Sequence, residues 1–92
     1  MANPINKIQD QLYALEKMYI PDAKREMIVL AKVMERRAAD AAECARAMNA
    51  DEPCSMAFVE FMAGDMRNVV DAKANLESLY AKKKMLEALL RD

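Results

Sequence analysis

The stretch Ala47-Met48-Asn49-Ala50-Asp51-Glu52-Pro53-Cys54 decides how this chain folds. Asn49 suits a helix stop, and Asp51-Glu52-Pro53 is the one convincing turn in the sequence. With a single Gly and three Pro in 92 residues, sheets and tight β-hairpins are not expected. Long segments of helical apolar spacing lie on both sides of the turn. A connection this short makes them antiparallel neighbours.

C-terminal to the turn, a segment over about residues 54–90 places Val59, Met62, Met66, Val69, Ala72, Leu76, Leu79, Leu86 and Leu90 on one face, with Lys83 as a polar intruder. At about 1.5 Å per residue it is roughly 55 Å long. Gly64 in its middle marks either a close helix contact or a local weakness. N-terminal to the turn, residues 22–50 carry the stripe Met27, Leu30, Met34, Ala38, Ala41, Ala45 and Met48. Seven of the thirteen residues from Ala38 to Ala50 are Ala, and antiparallel pairing sets these small side chains against Phe58, Phe61 and Met62.

A shorter helix is expected over residues 4–19. Asn3 can cap it, and Pro4 suits the first helical position. Ile5, Ile8, Leu12, Leu15 and Tyr19 then recur at spacings of 3, 4, 3 and 4, a heptad seam. Ile20-Pro21 should break or kink the chain, because a residue before proline is pushed out of the α region. The expected fold is therefore all-α: one helical domain over residues 1–92, an antiparallel hairpin of two long helices preceded by a shorter one. The first segment covers only part of the hairpin's groove, so dimerisation is expected to complete the bundle.

The chemistry that reactions usually need is scarce. The chain has no His, no Thr and no Trp, and Ser occurs only at Ser55 and Ser78. Without His, the commonest general base and metal ligand is missing, and one Gly cannot build a phosphate loop. The expectation is a non-enzyme, with no catalytic residue, metal site or cofactor. Cys44 and Cys54 flank the turn; ideal antiparallel pairing sets Cys44 opposite residue 59, so a disulfide would require movement at the turn. They are expected as two small apolar residues with free thiols in a cytoplasmic setting. No apolar run is long enough to cross a bilayer, and no secretion signal is expected.

Charge is segregated. Residues 38–65 carry a net −5 and the remainder a net +4, so a hairpin is acidic at its turn and basic at its open end. A net charge of −1 makes nucleic acid an unlikely partner, since counterion release needs excess cations. Lys24, Arg25, Lys82, Lys83 and Lys84 near the open end, and Arg36 and Arg37, are the candidate charged contacts. Apolar residues off the main stripes, namely Tyr13, Met18, Ile20, Phe61 and Met85, are the candidate partner-binding residues. Among nine Met, Met27, Met34, Met62 and Met66 are assigned to the core.

The expected function is that of a protein–protein interaction module: a small regulator, adaptor or inhibitor that docks a helical face on a larger protein. A purely structural homo-oligomer is the alternative. A nucleic-acid accessory protein using the basic end is the third.

Overall fold

The computed structural model describes residues 4–91, and all regular structure among them is helical. Helix α1 spans Pro4–Ala14, a π-helical turn spans Leu15–Tyr19, α2 spans Ile20–Asn49 and α3 spans Phe58–Arg91. The predicted cap at Asn3 lies outside the described residues.

The predicted break at Pro21 does not occur. Ala14, Tyr19 and Ile20 all keep right-handed helical dihedrals, so α1, the π turn and α2 form one continuous helical run. Pro21 has no N–H, and its ring would crowd the Lys17 carbonyl one α-turn back. The π turn widens the backbone just there: the Ile20 N–H reaches back five residues to the Leu15 carbonyl.

That extra residue resets which side chains face inward. The heptad read from Ile8, Leu12 and Leu15 predicts Tyr19 next. Instead Tyr19 is 55% exposed and Ile20 is 5% exposed. Ile20 is thus corrected from a contact residue to a core residue. Leu15, Ile20 and Leu86 form the buried cluster, with Ile8, Leu12, Leu76 and Leu79 packed against it.

From Ile20 the seam of α2 continues through Ala23, Met27, Leu30, Met34, Arg37, Ala41 and Cys44, all buried or half-buried. These steps alternate strictly between three and four residues, the signature of a 3.5-residue repeat. The expected core positions Ala38, Ala45 and Met48 are exposed instead. On α3 the seam is Phe58, Met62, Asp65, Val69, Ala72, Leu76, Leu79, Lys83, Leu86 and Leu90. Val59 and Met66, placed inside by the sequence, are exposed. Arg37 and Asp65 hold the seam positions, and their side chains meet at 2.9 Å.

Helix α3 packs against α2 and, toward its C-terminus, against α1 and the π turn. The described chain measures 72 × 18 × 17 Å, two helix diameters by one long helical run. Gly64 is not a close contact: a Cβ there would meet nothing within 4 Å.

Residues 50–57 close the turn, so α3 begins four residues later than expected. Asp51 takes a left-handed conformation with φ 56°. The Glu52 N–H donates to the Ala47 carbonyl at 2.8 Å and the Asp51 N–H to the Met48 carbonyl at 3.2 Å. This is a Schellman stop with Asp in the place glycine usually takes. Ser55 Oγ accepts the Ala57 N–H at 3.3 Å, satisfying a donor ahead of α3. Because residues 50–57 leave the helical path, Cys54 swings back over the end of α2. Its Cα comes within 5.5 Å of that of Cys44, and the two form a disulfide. The expectation of two separated thiols, built on ideal helix pairing through the turn, is corrected.

Candidate interaction surfaces

Two contacts orient the surface of the helix pair. The Lys24 ammonium sits 5.9 Å from the Tyr80 ring centre, so these residues mark one flank. Asp40 and Phe61 line one cleft and mark the opposite flank. Helical spacing from these marks assigns the remaining surface positions.

On the Lys24–Tyr80 flank, steps of three and four lead along α2 from Lys24 through Ile28, Ala31, Glu35, Ala38, Ala42 and Ala45, and along α3 from Tyr80 through Glu77, Lys73, Val70, Met66, Ala63 and Val59. All of these are exposed. Glu35 is the only charged residue of this flank from Ile28 to Ala45 and from Val59 to Val70, and the exposed Lys73–Glu77 pair bounds the apolar stretch on α3. A continuous apolar strip of this kind is unusual on the outside of a small protein. The sequence reading assigned parts of it to the core because the seam lies only one residue away.

The other flank is mixed. Near the turn it holds an open cleft of about 390 Å³ lined by Phe58, Phe61, Arg37, Asp40, Glu43 and Arg46 among others. Phe61 is 55% exposed, and the Arg37 guanidinium lies 4.8 Å from its ring centre, a cation–π contact. Such a cleft offers an apolar floor with a charged rim to a protruding side chain. Arg46 donates from Nη2 to Glu43 at 2.6 Å and to Glu52 at 3.0 Å. The Arg46 hydrogen bond, helped by its charge, holds the Glu43 carboxyl below the usual carboxylate range. The same two carboxylates raise the Arg46 guanidinium further above its ordinary value.

The predicted contact residues are dispersed. Tyr13, Met18, Phe61 and Met85 are all well exposed. However, Phe61 and Met85 lie on the same helix about 36 Å apart at 1.5 Å per residue. Tyr13 and Met18 belong to the far end with the Leu15 and Leu86 core, so no single patch gathers the set.

The charged candidates divide. Arg37 is committed to Asp65 in the seam, with side-chain exposures of 24% and 16%. Lys83 is half-buried, 3.6 Å from Glu16 and 4.0 Å from Glu87. Arg25 pairs with Asp22, and Lys24 covers Tyr80. Arg36, Lys82 and Lys84 stand exposed. The basic end therefore presents fewer uncommitted cations than the sequence suggested.

Among the described residues, no group of three or more acidic, Cys or His side chains is placed to hold a metal ion, and no helix is long and apolar enough to cross a membrane. No protein family, curated protein or solved structure matches this chain.

Proposed function

We propose that this protein is a non-enzymatic interaction module, an antiparallel helical hairpin that dimerises and docks a remaining helical face on a larger protein as a regulator, adaptor or inhibitor. One observation carries the reading. Fifteen large apolar side chains among the described residues are exposed, against seven buried core residues, four of them Ala or Cys. Burial stabilises by about 25 cal/mol per Å², so exposed apolar area on this scale favours association with other chains. Phe61 beside its charged-rim cleft, with Met85 further along the same flank, is the assigned docking face for the larger partner. Exposed aromatic and Met side chains are the residue types that anchor interfaces.

Tagged protein expressed in its native host tests this reading by affinity capture, compared with a Phe61→Ser/Met85→Ser variant. A partner held by the native chain and lost by an equally helical variant supports it. Capture of no partner by either would defeat the docking role. A cytoplasmic setting belongs to the same reading. Fractionation of the native host's cells measures that directly.

A further inference from the structure

We infer that the apolar strip on the Lys24–Tyr80 flank is the seat of a second copy of this chain, lying antiparallel with its two-fold axis passing beside Ala38. The inference rests on the dimer part of the proposed function and adds the face, the direction and the register.

The area at stake fits a dimer. The chain presents 7141 Å² to solvent. A compact monomer of 10.4 kDa presents about 5400 Å². The surplus is about 1700 Å² per chain, and permanent dimers bury 2000–5000 Å² in total, roughly what two such surpluses supply.

Direction follows from charge. An antiparallel copy brings the acidic turn of one chain to the segment of the other that carries Lys24 and Arg25, whereas a parallel copy stacks like on like. A perpendicular two-fold axis beside Ala38 sets Ala38 against its own counterpart, Ala31 against Ala45 and Ile28 against Met48. Ile28 and Met48 are both half-exposed or more in the single chain, and the Ala positions let the two α2 helices approach closely. On α3, Met66 meets its own counterpart beside the axis. Every neighbouring helix pair in the resulting four-helix bundle is antiparallel. A different protein would have to reproduce both the apolar length and this alternation of charge, which a second copy supplies by symmetry.

Sedimentation of the full-length chain tests the proposal with four substitutions. Ala38→Glu buries two unpaired carboxylates at the axis and should weaken the dimer on the order of a hundredfold; Ala39→Glu, one residue around the helix, should leave it intact. Ala38→Cys under mild oxidation should give a covalent dimer quickly and Ala39→Cys should not, which decides the matter even if Ala38→Glu reduces helicity. A dimer unaffected by Ala38→Glu, or one cross-linked as readily from residue 39, overturns this face while leaving dimerisation standing. A native chain that sediments as a monomer at micromolar concentration overturns both, and the capture experiment on Phe61 and Met85 remains independent of either result.

Discussion

Arg37 Nε lies 2.9 Å from Asp65 Oδ2 inside the apolar seam, where each side chain takes a position that a hydrophobic residue would normally fill. Phe61 covers the guanidinium from the side. A polar pair at such a site selects register more than it adds stability, because desolvation offsets much of the attraction. Sliding α3 by one heptad would separate the two charges and leave both unpaired among apolar neighbours.

Asp65→Ala should cost about 1–3 kcal/mol, since it strands a half-buried guanidinium. Replacing both residues, as Arg37→Leu/Asp65→Leu, should be at least as stable as the native chain. Urea unfolding midpoints check both. A double variant as damaged as the single one would sink the register argument.

The π turn gives a second prediction. Deleting Met18 together with Pro21→Ala should let α1 run into α2 as an ordinary α-helix with Leu15 and Ile20 still on one face. Helicity by circular dichroism should be kept or raised. Deleting Lys32 instead puts Met34, Arg37 and Ala41 out of phase with α3, and should cost several core contacts of about 1 kcal/mol or more each. Equal damage from the two deletions would mean that the seam does not set the phase.

Gly64 lies in α3 with open space where a Cβ would stand. Gly64→Ala should therefore stabilise by about 0.5–1 kcal/mol, raising Tm by about 2–8 °C for a domain of this size. A fall in Tm would show that the backbone there is needed by a neighbour.

The disulfide closes a short loop, with ten residues of separation. Chain-entropy loss in the unfolded state then contributes about 3 kcal/mol. Adding a dithiol reductant should lower the melting temperature of the native chain and leave a Cys44→Ala/Cys54→Ala variant unchanged. A native chain indifferent to reductant would sink the loop-closure argument.

Glu43 supplies a small pH dependence. Its carboxyl is held below the ordinary value of 4.5 by Arg46, so the folded chain keeps it ionised where the unfolded chain begins to bind a proton. The contribution is complete above about pH 4.5 and fades as pH falls further, toward the folded value. Glu43→Gln should flatten that part of a stability–pH curve. An unchanged slope in the variant would assign it to other carboxylates.

The all-α class, the turn beginning after Asn49 and the distal seam from Leu76 to Leu90 were legible because spacings of three and four among large apolar residues leave little choice. The phase of the middle was not. Ala38, Ala41 and Ala45 read as a stripe as readily as Ala41, Cys44 and Ala47, since Ala fits either side of a helix. Arg37 and Asp65 misdirected the reading further. Charges are ordinarily assigned outward, which moves the assumed seam one residue toward Ala38 and Met66 and hides the exposed strip inside the core. Ile20 was misplaced for a related reason: both Tyr19 and Ile20 are apolar, and only the backbone's insertion at the π turn distinguishes them. The Cys pair was invisible because ideal helices were carried through residues 50–57.

The Asp51 turn also sets where order begins. Helix stop, Ser55–Ala57 hydrogen bond and Cys44–Cys54 link all fall within fourteen residues, so contacts beside the turn close the shortest loops in the molecule. Assembly started there can proceed like a zipper, each turn of α3 finding α2 already alongside. Proteases and amide exchange would then meet the termini first and the bend last.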